Sequence, residues 1–207
     1  MKKIISTLFI LFLLSGCSTD SRLVTYQSKE NYKTDNQVEK EISFKKYFND
    51  VNRSSEKAAD IKTEKHKAIV KKVIDADTLV LEADKYTALR LIGINGPEIT
   101  KGKNEPFGQE GKEYLANLIE GKEITYQLDP NADEKDKYGR ILAHVCLDQI
   151  SIQSYLLKEG YVKLAYLFDE YEFIDVYKDA ENIAKEKQLN IWSIPGYADT
   201  DLNGFVK

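Results

Sequence analysis

Apolar and polar positions divide the chain into stretches with different periods. Ile4 to Leu14 is an apolar run broken only at Ser6 and Thr7. Ser18 to about Lys65 is rich in Lys, Glu, Asp, Asn and Ser, has scattered aromatics and contains no Gly or Pro. That composition buries little surface and reads as a tether. Within it Phe44, Phe48 and Val51 recur at near-helical spacing and suggest a short amphipathic helix. From Ala68 the period becomes two: Ala68 to Ile74, Thr78 to Ala83 and Tyr86 to Ile94 read as three strands, with Asp84-Lys85 as a tight hairpin. Phe107, Gly111, Tyr114, Leu115 and Leu118 then recur at helical spacing, with Gly121 as the stop. Lys122 to Leu128 and Arg140 to Leu147 read as two more strands separated by the polar turn Asp129 to Gly139. Ile152, Tyr155 and Leu156 predict a short helix ended by Gly160, and Phe173, Tyr177, Ala180 and Ala184 stripe a last helix reaching about Gln188. Five short strands, a helix after the third and helices at the end are the order of an α+β, mainly β fold. The expected architecture is a five-stranded OB-fold Greek-key barrel with about three helices.

Composition sharpens this picture. With 207 residues and 42% hydrophobic content the chain supports one packed core. Thirty Lys and Arg stand against 34 Asp and Glu, and two of the lysines fall in the first sixteen residues, which hold no acid. The remainder is therefore acidic, which argues against gripping nucleic acid through bulk positive charge and leaves room for a local cationic pocket. Two cysteines, Cys17 and Cys146, exclude a disulfide framework and a four-cysteine zinc site; two histidines, His66 and His144, argue against a His-rich metal centre. The run Ile4 to Leu14 is too short to span a bilayer, and behind Lys2-Lys3 it reads as an export signal. Leu14-Ser15-Gly16-Cys17 resembles a bacterial lipobox, implying cleavage before Cys17 and acylation of its sulfur. The alternative is an ordinary signal peptide with an incidental cysteine. The expected divisions are a signal over 1–16, a lipidated Cys17 and tether over 17–65, the barrel domain over 66–193 and an extension over 194–207, packed on the domain and without assigned chemistry. The expected location is the extracytoplasmic face of the cell membrane, held by lipid, with the tether carrying the domain clear of the headgroups.

Three clusters carry candidate chemistry. Asp75-Ala76-Asp77-Thr78 places two carboxylates one residue apart at a strand junction, which suits a hard cation and equally a solvated turn. Arg90 lies among Ala88, Ile92 and Ile94 on an alternating apolar face, where its guanidinium needs an anion, either a carboxylate or a phosphate. Pro97 stiffens the turn that carries Glu98, and Asp136-Lys137-Tyr138-Gly139-Arg140 brings a second arginine to the start of another strand.

In this order, and closed by Leu189-Asn190-Ile191-Trp192-Ser193, these motifs resemble the staphylococcal nuclease (thermonuclease) family over about Ala68 to Ser193. The resemblance implies an OB-fold nuclease that hydrolyses DNA and RNA phosphodiesters with Ca²⁺ and leaves 3′-phosphate ends. By motif position it implies that Arg90, Glu98 and Arg140 are catalytic, that Asp77 ligates the metal, and that Asp75 acts near the metal through water. It further implies that Tyr138 and Tyr166 line the nucleotide site, with Lys137 a cation on the phosphate side. Two guanidiniums and a divalent cation would stabilise the charge gained by the phosphoryl oxygens, and Glu98 would orient or deprotonate the attacking water. The chain departs from the pattern at one place. Where the family has a second metal-ligating Asp and then a Thr that offers its carbonyl, this chain has Asn95 and Gly96. Gly96 retains the carbonyl; Asn95 supplies an oxygen without the charge.

His144 and Cys146 share a strand face and are expected to pack rather than ligate; Trp192 is expected to anchor the tail. The leading expectation is an exported, lipid-tethered, calcium-dependent nuclease of low specificity with no obligate protein partner. The competing readings are a nucleic-acid-binding OB module whose metal site is lost through Asn95, and a lipoprotein that recognises another protein.

Overall fold

The computed structural model describes residues 46, 63–83, 86–100, 102–168, 170–198 and 201–206. Cys17 and the signal, the Phe44–Phe48–Val51 pattern and the Asp84-Lys85 turn lie outside the described residues.

Strand β1 (Lys65–Asp75) begins three residues before Ala68, where the apolar run starts. Its first turn of alternation is polar: Lys65 and Lys67 pair with Gln127 and Thr125, and the Lys67 ammonium meets Glu123 at 2.7 Å. Just upstream, the Thr63 hydroxyl donates to the Leu128 carbonyl at 2.8 Å. Farther along, Val70 and Val73 both face the core although three residues apart, because a register shift between Val70 and Lys72 turns Lys71 and Lys72 both outward. Strand β2 (Thr78–Leu81) is buried throughout and pairs antiparallel with β1 and with β3 (Thr87–Leu91).

The run Tyr86 to Ile94 is not one strand. It breaks at Ile92-Gly93, where Gly93 has φ +78, and resumes as β4 (Ile94–Asn95). The break explains why strict alternation misplaces Ile94, which it puts on the face of Arg90. Leu89, Leu91 and Ile94 belong to the main core, whereas Arg90 points to the other side of its strand.

Helix α1 (Gly108–Ile119) buries Tyr114, Leu115, Leu118 and Ile119 against the barrel, as its spacing predicts. Gly111 lets it approach closely, since a Cβ there would lie 3.1 Å from that of Ala76, in the turn between β1 and β2. Strands β5 (Glu123–Gln127) and β6 (Ile141–Leu147) follow, then β7 (Ile150–Ser151). Ser151 caps helix α2 (Ile152–Lys158) by accepting the Ser154 N–H. A short β8 (Lys163–Leu164) pairs with β4, and helix α3 (Ile174–Glu186) buries Tyr177, Ala180 and Ala184. A 3-10 turn follows over Asn190–Ser193.

The sheet order is β3-β2-β1-β5-β6-β7, and a parallel pairing of β3 with β6 closes it into a five-stranded mixed barrel. The barrel is filled by Val70, Val73, Leu79, Leu89, Leu91, Ile124, Ala143 and Val145. Truncating one of the fully buried leucines to Ala costs about 2–5 kcal/mol in such a core. This is the expected α+β OB-type barrel, and α1, α2 and α3 are the helices that pack with it among the described residues.

Candidate active site

The turn from β1 to β2 holds Asp75 and Asp77 in place with its own backbone. The Asp75 carboxylate accepts the Asp77 N–H at 3.1 Å, an Asx-type contact two residues long. Asp77 is buried. Its Oδ1 accepts from the Thr78 hydroxyl at 2.9 Å and from Arg90 Nη1 at 2.6 Å, and its Oδ2 accepts from the Gly96 N–H at 2.6 Å. Thr78 lies opposite Arg90 in the β2–β3 register, so strand pairing delivers the guanidinium to the acidic turn. Of the two anions Arg90 can meet, a carboxylate and a phosphate, the first is present within the chain. Arg90 also reaches the Asn95 side-chain oxygen through Nη2 at 2.9 Å. Gly96 is buried against Ala76, and a Cβ on it would stand 2.8 Å from the Ala76 methyl, so no larger residue fits this packing.

Arg140 comes to the same place from another direction. Asp136 accepts from its Nε at 2.6 Å, and its Nη1 donates to the Thr78 hydroxyl oxygen at 3.3 Å. The Asp136 carboxyl also accepts the N–H groups of Tyr138 and Arg140. Burial alone would raise its pKa; the Arg140 guanidinium and these N–H groups outweigh that and hold it below the usual carboxylate range. Thr78 thus joins the surroundings of the two arginines through one hydroxyl.

A cleft of about 1160 Å³ collects these groups. Its walls include Asp75, Asp77, Arg90, Asn95, Glu98, Lys137, Tyr138, Arg140 and Tyr166. Gly96 does not line the cleft itself; its N–H holds the Asp77 carboxylate that does. Glu98 is half-buried on a loop that Glu105 closes, the Glu98 N–H donating to the Glu105 carboxylate at 2.8 Å. The Thr100 hydroxyl donates to the Glu98 carboxylate at 3.3 Å. Tyr138 is 73% exposed, with the Arg140 guanidinium 5.4 Å from its ring centre, and Arg90 lies 5.9 Å from that of Tyr166.

The Asp75 carboxyl is pushed up to about 8, first by burial and then by the negative charge of Asp77. With both carboxyls ionised the turn would carry more negative charge than Arg90 neutralises; protonation of Asp75 relieves this in the metal-free chain, and a hard dication would do the same. The oxygens of Asp75, Asp77, the Asn95 amide and the Gly96 carbonyl are the donors such an ion prefers. Among the described residues no group of three or more His, Cys, Asp or Glu gathers anywhere as a metal site. The donors here are of mixed type.

Sequence reasoning missed three participants. Phe168, 74% exposed, lines the cleft with Tyr138 and Tyr166; its place in the irregular stretch after β8 gives no periodic signal. Thr78 read as the end of the acidic motif and the start of a strand, with no role of its own. Asn203 lies in the extension without assigned chemistry, yet its backbone carbonyl accepts from Asn95 Nδ2 at 3.0 Å. His144 and Cys146 do pack away from the cleft wall: His144 is buried with Nε2 2.8 Å from Asp129 and Nδ1 2.7 Å from the Tyr177 hydroxyl, and Cys146 is half-buried. Trp192 packs on Ile191, Tyr197 and Ala198 in the tail cluster.

The model of the staphylococcal nuclease homologues matches residues 88–194, and that of the prokaryotic membrane lipoprotein lipid attachment site matches residues 1–18. Endonuclease YncB of Bacillus subtilis (strain 168) is 30% identical over 219 residues, covering 100% of both chains. The SPbeta prophage-derived endonuclease YokF of the same strain is 35% identical over 141 residues, which are 66% of this chain and 47% of that one. The thermonuclease of Staphylococcus hyicus is 32% identical over 125 residues, 59% of this chain and 73% of its own.

Proposed function

Because the chain belongs to the staphylococcal nuclease family and is a nuclease, we propose that it cuts DNA and RNA with little sequence preference, using Ca²⁺, while tethered outside the cell. The observation that carries this reading is the convergence of Arg90, Arg140, Glu98 and the Asp75–Asp77 turn on one cleft bordered by exposed aromatic rings.

Arg90 and Arg140 are the phosphate clamp, catalytic with Glu98. Each guanidinium is held by a carboxylate, Asp77 for Arg90 and Asp136 for Arg140, so neither needs to search for its position when the phosphodiester enters. Their N–H groups meet the non-bridging oxygens, whose negative charge grows as water attacks phosphorus. Glu98 takes the proton of that water as the new P–O bond forms and the bond to the leaving sugar oxygen breaks, that oxygen gaining a proton from solvent. Asp77, the Asn95 oxygen and the Gly96 carbonyl would hold the metal, with Asp75 beside it through water. The thermonuclease relatives imply that a metal is used, and the all-oxygen donor set supports calcium. A bound dication supplies Lewis-acid charge against the phosphoryl oxygens. Tyr138, Tyr166 and Phe168 offer faces for stacking, which every base satisfies, and Lys137 adds a cation beside Tyr138. The lipid attachment match over residues 1–18 supports a membrane anchor at Cys17 facing outward.

Incubating the chain with plasmid DNA and with RNA, in calcium and in chelator, tests the reading. Cutting of both in calcium and none in chelator is expected. Binding without cutting would favour the OB-module alternative, and neither would remove nucleic acid as the ligand.

A further inference from the structure

The C-terminal residues 201–206 cross the short β4–β8 ribbon and touch both members of one register pair, Asn95 and Lys163. Lys163 is fully buried; its ammonium donates to the Leu202 carbonyl and lies 5.4 Å from the ring centre of Phe205. The segment is fastened at its far end, where the Val206 N–H donates to the Tyr197 carbonyl at 2.9 Å and the Tyr197 and Phe205 rings stack at 5.0 Å. Between these attachments Asn203 makes two contacts of different kinds. Its backbone carbonyl accepts from Asn95 Nδ2 at 3.0 Å, and its side-chain oxygen accepts the Tyr166 N–H at 2.8 Å. A closed circuit results: Arg90 donates to the Asn95 oxygen, Asn95 donates to Asn203, Asn203 holds the Tyr166 backbone, and the Tyr166 ring faces Arg90.

We propose that residues 201–206 form a strap that completes the nucleotide site, that Asn203 is a positioning residue for Asn95 and Tyr166, and that the amide at Asn95 is matched to this strap. The inference rests on the reading of Arg90 and Tyr166 as substrate contacts. The chemistry of position 95 follows from its two neighbours. Arg90 requires an acceptor and the Asn203 carbonyl requires a donor, and of the two isosteric side chains only an amide offers both at once. A carboxylate would set oxygen against oxygen at the strap, the arrangement that leaves two acceptors unsatisfied. On this view the amide at Asn95, while still offering its oxygen to a metal, exchanges one negative charge for a docking contact. The Tyr166 backbone is left-handed, with φ +57, a conformation that a bulky residue keeps only when its surroundings hold it. The bond from Asn203 is one such restraint, and the Tyr171 hydroxyl, donating to the Tyr166 carbonyl at 3.1 Å, is another.

A double-mutant cycle tests the match. Asn95→Asp is made in the full chain and in a chain ending at Thr200, and thermal unfolding is followed in chelator. Any direct effect of the new carboxylate on Arg90 or Asp77 is common to both backgrounds and cancels. Asn95→Asp should lower the midpoint by about 2–4 °C more in the full chain than in the shortened one, the shift given by one lost contact in a chain of this size. Equal effects in both backgrounds would overturn the pairing. Asn203→Ala, which keeps the backbone carbonyl and so the hold on Asn95, should raise KM for single-stranded DNA about three- to tenfold and leave kcat within about twofold. An unchanged KM, or a loss confined to kcat, would remove Asn203 from substrate positioning. If the unaltered chain cuts no nucleic acid, the catalytic reading fails, and the unfolding cycle still decides the strap.

Discussion

Asp77 and Arg90 form an ion pair of 2.6 Å whose side chains are only 7% and 9% exposed. A pair this deep is defined by what happens when one partner is lost, because the remaining charge has no water to turn to. Asp77→Asn should therefore destabilise the metal-free chain by about 3 kcal/mol, or roughly 6–12 °C in Tm. Thermal unfolding in chelator measures it; an unchanged midpoint would mean that Arg90 is satisfied by other groups.

Glu98 stands on the cleft wall with one modest side-chain contact, from Thr100. Glu98→Gln keeps the shape and removes the base, so kcat should fall by about 10²-fold or more with KM little changed. Near-normal turnover by the purified variant would take Glu98 out of the reaction.

Arg140 is oriented through Nε by Asp136 and through Nη1 by Thr78, a use of several guanidinium donors that a lysine cannot copy. Arg140→Lys should lose at least about tenfold in kcat/KM even though the charge is kept. Wild-type steady-state kinetics from this variant would reduce Arg140 to a point charge.

The raised Asp75 carboxyl has a consequence for stability against pH. In the folded chain it holds its proton up to about 8, while in the unfolded chain it releases it near the ordinary 3.8. Between these values the folded state binds more protons, so its contribution is present at low pH and is lost as pH rises through the window. In chelator the chain should lose stability from pH 5 to 8, and Asp75→Asn should flatten that slope. Denaturant melts of both proteins across the range decide the matter; parallel slopes would assign the dependence elsewhere.

Cys17 lies far outside the catalytic groups in sequence, and its proposed role is that of acyl acceptor alone. Cys17→Ala should move the protein from the membrane fraction to the medium with cleavage per molecule unchanged. Retention in the membrane fraction after signal removal would point to the tether instead.

Much of this molecule is legible in its amino-acid sequence. Period-two runs located the five barrel strands, and the stripes at Tyr114–Leu118 and Tyr177–Ala184 located two helices, because burial on one face leaves a period in the chain. Asp75, Asp77, Arg90, Glu98, Lys137, Tyr138, Arg140 and Tyr166 all reach the one cleft. What escaped was whatever depends on pairing between distant segments. The polar start of β1 shows no hydrophobic period, since its partners are hydrogen bonds with β5. The break at Ile92-Gly93 hides inside a continuous apolar run. Asn95 read as a missing charge because its donor group had no visible acceptor; that acceptor is 108 residues away.

The parallel seam between β3 and β6 carries an implication for timing. Arg90 sits in the seam opposite Leu142, and Arg140 immediately precedes β6, so the contact that seals the barrel also brings both arginines to the one cleft. Such a seam joins segments far apart along the chain and has to overcome a long loop closure before it gains anything. Until that pairing forms the two arginines stand on separate segments, so the clamp proposed for them is a property of the closed barrel and of neither segment alone.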